Sequence, residues 1–284
     1  MTTENTSRPL AGRTLIMSGG SRGIGEAIAL KAARAGANIT LLAKTAEPHP
    51  KLPGTVYTAA KAIEEAGGQA LPIVGDVRDD EQVADAVART VERFGGIDIV
   101  VNNASALDIS RTEELPMKKY DLMQDINARG AFLLSKLSIP HLRASDNAHI
   151  LTLSPPITLD PAWFAEIGTG YTISKFSMSL VTLGLAAELK ADGVAVNSLW
   201  PRTTIDTAAV RNILGEDLVS ASRTPEIIAD AAMLILSRPA GGESGRCYID
   251  DEVLTDAGVT DLERYQVTPG PIDGLELDFW MSRA

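Results

Sequence analysis

Short apolar runs alternate with longer amphipathic stretches along the whole chain. The apolar runs predict strands near 13–18, 38–43, 70–75, 97–102, 148–154, 194–200 and 246–250. The stretches between them predict helices near 23–35, 55–66, 80–94, 117–144, 171–190 and 225–237. Thr224 followed by Pro225 supplies an N-cap and a first helical position for the last of these. Strand and helix in strict alternation predict an α/β fold, a doubly wound parallel sheet of about seven strands with helices on both faces. No internal repeat or linker divides the chain, so 1–284 reads as one domain, with 1–11 a flexible tail and 258–284 a C-terminal extension. The Pro-rich stretch 46–53 reads as an insertion after the second strand, not a boundary.

Composition narrows the partners. At 284 residues and 45% hydrophobic content the chain can build a large core. A net charge of −11 argues against nucleic acid or an anionic membrane surface as a partner. Cys247 is the single cysteine, which excludes an intrachain disulfide and fits a reducing, cytoplasmic setting; it is expected to be buried in the last strand. No apolar run approaches the roughly 18 residues of a transmembrane helix. Met1 to Pro9 lacks an apolar signal core and reads as a frayed tail, and Ser282-Arg283-Ala284 is not a Ser-Lys-Leu peroxisomal address. His49, His141 and His149 lack metal-ligand spacing, so no catalytic metal is expected.

Two motifs carry chemistry. Ser18-Gly19-Gly20-Ser21-Arg22-Gly23-Ile24-Gly25 follows the first strand and opens the first helix. Glycines there let the backbone turn tightly and approach a pyrophosphate, and the helix N-terminus offers free N–H groups and a positive dipole end. The spacing Gly19-x3-Gly23-x-Gly25 differs from the commoner Gly-x-Gly-x-x-Gly. Much later, Tyr171-Thr172-Ile173-Ser174-Lys175 places a phenol and an ammonium one helical turn apart. An ammonium stabilises a nearby phenolate, which suits acid-base work on an alcohol or carbonyl. Gly19, Asn102, Ser154 and Pro201 all fall at or just past predicted strand ends, where ligands of such sheets sit.

The glycine loop, Asn102-Asn103-Ala104 and Tyr171-x3-Lys175, in this order over residues 12–250, resemble the short-chain dehydrogenase/reductase family. Ala43-Lys44-Thr45-Ala46-Glu47-Pro48-His49-Pro50-Lys51-Leu52, Leu153-Ser154-Pro155-Pro156, Pro161-Ala162-Trp163-Phe164 and Leu199-Trp200-Pro201 are similar to its hydroxysteroid dehydrogenase-like branch, some members of which carry a sterol-carrier domain, for which this chain is not expected to have room. The resemblance implies a Rossmann-type fold, a nicotinamide cofactor and direct hydride transfer. It implies Tyr171 as general acid/base, Lys175 as the group that lowers its pKa and holds the ribose, and Asn127 as a water anchor. Ser154 is the candidate for the substrate-oxygen donor. Family serines lie about thirteen residues before the Tyr, however, and Ser154 lies seventeen before it, so Pro155 competes for that slot. Cofactor contacts are expected from Gly19, Ser21, Arg22, Gly23, Ile24, Gly25, Lys44, Asp76, Val77, Asn103, Ala104, Ser105, Tyr171, Lys175, Pro201 and Thr204, with Thr207 a further candidate. Pro201-Arg202 stands where the family has Pro-Gly, so Arg202 could meet an anionic substrate, the cofactor phosphates or solvent.

The second strand ends Leu41-Leu42-Ala43-Lys44 with no carboxylate for an adenosine ribose. Lys44 and Arg22 instead offer cations to a 2′-phosphate, which predicts NADP(H) over NAD(H). Ile157, Leu159, Trp163, Phe164, Ile167 and Trp200 predict an apolar pocket, built from 155–170 and 203–222, for an apolar carbonyl or alcohol. A reductase or isomerase of an unsaturated acyl thioester and an NADPH-binding protein with little turnover are the alternatives. Family members are usually homotetramers or homodimers, so a homo-oligomer is expected. The tail from Gly258, with Phe279 and Trp280, could cover the pocket or a subunit interface.

Overall fold

The computed structural model describes residues 8–49, 52–208, 210, 211, 215 and 218–281. The strands are β1 (Thr14–Ser18), β2 (Asn38–Ala43), β3 (Gln69–Val74), β4 (Ile99–Asn102), β5 (His149–Thr152), β6 (Ala195–Trp200) and β7 (Cys247–Ile249). They form one seven-stranded sheet in the order β3-β2-β1-β4-β5-β6-β7, and every pairing is parallel. The order reverses between β1 and β4, and the crevice above that point is where this architecture places a ligand.

The helices are α1 (Gly23–Arg34), α2 (Val56–Glu65), α3 (Asp80–Phe94), α4 (Met117–Met123), α5 (Gly130–Leu142), α6 (Pro161–Ile167), α7 (Thr169–Glu188), α8 (Glu226–Leu236) and α9 (Asp250–Asp256). Alternate strand residues feed two cores. Leu15, Met17, Ile39 and Val101 pack with α1 and α8 on one face, while Ile16, Leu42, Val100 and Val196 pack with α3 and α5 on the other. This is why the strands read as unbroken apolar runs. A third cluster gathers Met123, Ile167, Tyr171, Phe176, Trp200 and Trp280 near the crevice. Among the described residues no helix is long and apolar enough to cross a membrane.

Several expectations need correction. The predicted helix 117–144 is α4 and α5 joined by a π-helical turn, Gln124–Arg129. α8 starts one residue later than predicted: Pro225 is its N-cap, and the Thr224 N–H is drawn off to the carbonyl of Tyr265 at 2.7 Å. α6 and α9 are seven residues each, too short to show a period. Cys247 is exposed, because β7 is an edge strand paired only with β6, although its Sγ lies 3.7 Å from the Ser154 carbonyl. In the insertion after β2, residues 50 and 51 lie outside the described residues, as do 1–7 of the expected tail and 282–284 of the extension.

Candidate active site

The glycine loop connects β1 to α1 and lines a cleft of about 1070 Å³. Gly19 sits at φ +75°, and a Cβ there would lie 2.9 Å from the Cα of Ala104. Gly23 is also left-handed, at φ +57°. A Cβ on Gly25 would meet the Asn103 side-chain nitrogen at 2.5 Å. The loop is therefore pressed against the end of β4, and side-chain bonds hold it there. Asn103 Nδ2 donates to the Gly19 carbonyl at 2.8 Å, and the Asn103 and Ala104 N–H groups donate to Ser18 Oγ at 3.2 Å each. Such a bare-backbone cradle at a helix N-terminus fits a dinucleotide pyrophosphate.

The far end of the cleft carries charge. Lys44 Nζ lies 3.1 Å from Asp76 Oδ2, and Arg78 also pairs with Asp76 at 2.6 Å. Arg78 and then Lys44 hold the Asp76 carboxyl well below the usual carboxylate range. Arg22 Nη2 donates to the Gly54 carbonyl at 3.0 Å, from the insertion that follows β2. Ser21, Arg22, Lys44, Asp76 and Val77 thus line one cleft.

A second cavity of about 190 Å³ adjoins it, sharing Ile24, Asn103, Ser105 and Thr207 with its lining. Tyr171 and Lys175, one turn apart on α7, both face it. Burial pushes the Tyr171 phenol above its ordinary value; Asp278 adds to the rise and the Ser105 hydroxyl opposes it. Lys175 Nζ donates to the Leu153 carbonyl at 2.6 Å and lies 4.8 Å from the centre of the Trp200 ring. Burial lowers the ammonium to about 7, with Asp278 opposing. Burial is thus the largest influence on Tyr171, and the Lys175 ammonium is turned toward the Leu153 carbonyl and the Trp200 ring.

Asn127 lies in the π-helical turn and is fully buried. The turn aims its amide sideways, so that Nδ2 donates to Ala106 O and Ser174 Oγ, both at 2.9 Å, while Oδ1 accepts the Ala106 N–H at 2.7 Å. Single π-turns of this kind recur at functional sites. Asn127 fastens the post-β4 loop to the helix of Tyr171.

Other expected contacts are placed differently. Ser154 is fully buried, its hydroxyl finds no partner, and it does not line the cavity of Tyr171; the neighbouring Leu153 does. Pro155 is buried too, its carbonyl accepting the Ser179 hydroxyl at 2.6 Å. Thr204 lines the cavity, but its N–H is taken by Glu276 O at 3.0 Å and its hydroxyl by Ser222 at 2.8 Å. Arg202 turns away to Asp251 at 2.8 Å and to Glu252. Pro201 lines the same cavity as Tyr171. The predicted wall from 155–170 is not the wall observed: Leu159 is 82% exposed, and Phe164 packs on Phe176 with ring centres 6.1 Å apart. From 203–222, Thr204, Ile205, Thr207 and Val210 line the cavity, while 209, 212–214, 216 and 217 lie outside the described residues.

The missing wall comes from the C-terminal segment. Asp278 and Phe279 line the cavity. The segment is fixed by Asp278 N–H to Arg202 O at 2.9 Å and by Trp200 Nε1–H to Phe279 O at 3.0 Å. Sequence reasoning flagged the aromatic pair but missed Asp278. A lone acid in a terminal segment has no periodic or motif signal, and only the tertiary path of the chain reveals it.

Comparison with known proteins agrees with this geometry. Residues 13–217 match the short chain dehydrogenase family. The chain is 55% identical over 266 residues to hydroxysteroid dehydrogenase-like protein 2 of Xenopus tropicalis, covering 94% of this chain and 63% of that one. The human protein of the same name is 49% identical over 277 residues, covering 98% of this chain and 65% of that one. The chain thus spans under two thirds of the length of these relatives. A crystal structure of a short chain dehydrogenase from Mycobacterium thermoresistibile superposes with a TM-score of 0.90 at 55% identity, covering 96% of each chain. A family match across most of the chain, and relatives this similar, establish that the chain belongs to the short-chain dehydrogenase family, in its hydroxysteroid dehydrogenase-like branch.

Proposed function

We propose that the chain is an oxidoreductase that interconverts an apolar carbonyl and its alcohol with NADP(H), using Tyr171 as general acid/base. The observation that carries this reading is the shared lining: Tyr171 and Lys175 face a cavity that abuts the glycine-loop cleft across Asn103, Ser105 and Thr207. A bound nicotinamide supplies the carbon that gives or takes the hydride. Everything else falls to the chain's own groups. The Tyr171 phenol, kept protonated by burial, is in the right state to give its proton to a substrate oxygen as a carbonyl is reduced. Lys175 binds the Leu153 carbonyl of the cavity wall, and Asn127 ties the loop after β4 to the helix of Tyr171 through Ser174. Leu107, Leu153, Ile205 and Phe279 supply apolar lining, which supports an apolar substrate.

Lys44 and Arg22 at the far end of the cleft support NADP(H), since a 2′-phosphate there would meet two cations. The exposed apolar residues Phe132 on α5 and Ile173, Leu180 and Leu183 on α7 support a homo-oligomer that pairs these helices. Light scattering should then give a multiple of the 30.1 kDa chain mass. The withdrawal of Ser154 from the cavity favours a second reading, reduction of an unsaturated acyl thioester. The test is NADPH oxidation with a panel of aliphatic, terpenoid and aromatic aldehydes and ketones beside enoyl thioesters. Turnover of carbonyls is expected; turnover of thioesters alone would replace the first reading by the second.

A further inference from the structure

The cavity contains one acid that the reaction as described does not use. Asp278 faces it beside Tyr171 and Lys175, delivered by the C-terminal segment. Two backbone contacts fix the residue: its N–H donates to Arg202 O at 2.9 Å, and its Oδ1 accepts the Phe279 N–H at 2.7 Å. One carboxyl oxygen is thereby anchored to the segment itself. On the opposite side of the problem, Ser154 keeps its hydroxyl out of the cavity, and Pro155 has no side-chain donor. A substrate oxygen reaching Tyr171 therefore meets neither Ser154 nor a donor from Pro155; the Ser105 hydroxyl, which also lines the cavity, is engaged by the Tyr171 phenol itself.

We propose that Asp278 is a further catalytic residue, whose carboxyl O–H donates a second hydrogen bond to the substrate oxygen held by Tyr171. The inference rests on the oxidoreductase reading above. No bond to carbon changes at Asp278: the proton that reaches the oxygen comes from Tyr171, and Asp278 keeps its own. The electrostatics require the neutral form. An ionised Asp278 would repel the charge developing on the substrate oxygen, and it is in that form that it adds to the rise of Tyr171. Tyr171 and Lys175 from α7 line the cavity with Asp278, and Asp250 at the start of α9 acts on it electrostatically; the Arg202 side chain after β6 is committed to Asp251 and Glu252. Burial pushes the Asp278 carboxyl up to about 7; the Phe279 N–H opposes this, Asp250 adds to it and Lys175 opposes it. The neutral acid is thus accessible near neutral pH. A buried protonated carboxyl can serve as an oxyanion donor when its surroundings keep it neutral.

The test reads the hydrogen bond itself, so that it does not depend on turnover. Acetophenone labelled at its carbonyl is bound with NADP⁺, a pairing that cannot react, and the carbonyl stretch is followed by infrared spectroscopy in wild type, Asp278→Asn and Asp278→Ala. The expected result is a stretch lowered in wild type at pH 6, largely kept in the Asn variant, which retains a donor, and shifted back toward free ketone in the Ala variant. In wild type, raising the pH through about 7 should weaken the lowering, because the donor proton is lost; the Asn variant should show no such change. Ketone affinity should fall about 10-fold in the Ala variant. Equal stretches in wild type and Ala variant, or no ketone bound by wild type, would overturn the proposal. Melting curves of both variants separate misfolding from loss of the bond, since Asn keeps an acceptor for the Phe279 N–H. If wild type holds the ketone as described yet oxidises NADPH with no carbonyl, the oxidoreductase reading fails and Asp278 is an oxygen donor without a catalytic role.

Discussion

The indole of Trp280 lies 5.8 Å from the ring of Tyr171, tilted by 30°. The same indole packs on Phe176 at 5.4 Å and on Trp200 at 5.6 Å. A residue near the chain end thus closes the pocket of the phenol from behind, and Trp280 adopts φ +62° to do so. A large side chain in that backbone region is an outlier that packing must hold in place.

Trp280→Ala should free the segment. Loss of a buried aromatic costs about 3–5 kcal/mol, and here that loss falls on the segment around 276–281, which Trp280 packs against Tyr171, Phe176 and Trp200. The expected outcome is faster hydrogen exchange at the amides of Thr204 and Asp278, which donate to Glu276 O and Arg202 O, by about 100-fold or more. Exchange unchanged at these two amides would show that the aromatic contacts do not hold the segment.

Gly19→Ala should damage the cofactor cradle. The new methyl would enter a 2.9 Å approach to Ala104 at a φ of +75°. The expected destabilisation is about 1–3 kcal/mol, with NADPH affinity reduced as the loop shifts off β4. Denaturant titration and NADPH titration check the two parts separately. Gly12→Ala is the control: its φ is +78° too, but a Cβ there meets nothing within 4 Å, so NADPH affinity should be unaffected.

Lys44→Ala and Arg22→Ala should separate the two nicotinamide cofactors. Lys44 is 57% exposed and shared with Asp76, so its loss disturbs little of the fold. The dissociation constant for NADPH is expected to rise about 10-fold or more per charge removed, with that for NADH within about 3-fold. Equal effects on both would remove the 2′-phosphate assignment.

The pH dependence of stability contains opposing parts. Burial depresses His149 to about 4, its Nε2 lying 3.0 Å from Arg238 O. A depressed value means the unfolded chain binds the proton more readily, so this contribution is lost as pH falls from about 6.5 toward 4. Burial raises Asp250 and Asp278, each to about 7. For a raised acid the sign reverses: stability is full below the unfolded value near 4 and is lost as pH rises through about 7. Comparison with isosteres isolates each part. His149→Gln should gain on wild type between pH 6.5 and 4, by about 3 kcal/mol at most. Asp278→Asn should gain on wild type between pH 4 and 7. Denaturant midpoints across this range provide the check, and either gain running in the other direction would contradict the assignment.

The sheet was legible because parallel strands covered on both faces leave runs such as Leu15-Ile16-Met17, which no exposed element would carry. The glycine loop and the Tyr171–Lys175 pair were legible because both motifs are local: glycines leading from a strand into the first turn of a helix, and two side chains one turn apart. What escaped was non-local. Whether Ser154 or Pro155 would face the cavity depends on how the loop after β5 leaves the sheet. The role of Trp163 and Phe164 as packing against the third apolar cluster, Phe164 on Phe176, and not as pocket wall, depends on where the segment around Trp280 returns. Asp278 lies 103 positions beyond Lys175 in sequence, with no spacing rule to join them.

The central claim is that Tyr171 moves the proton. Tyr171→Phe removes one hydroxyl and keeps the ring that packs on Trp280 and Phe279. With a carbonyl that wild type reduces, kcat should fall by about 10²–10⁴-fold while the NADPH dissociation constant stays within about 3-fold. A Phe variant that turns over at nearly the wild-type rate would contradict the account.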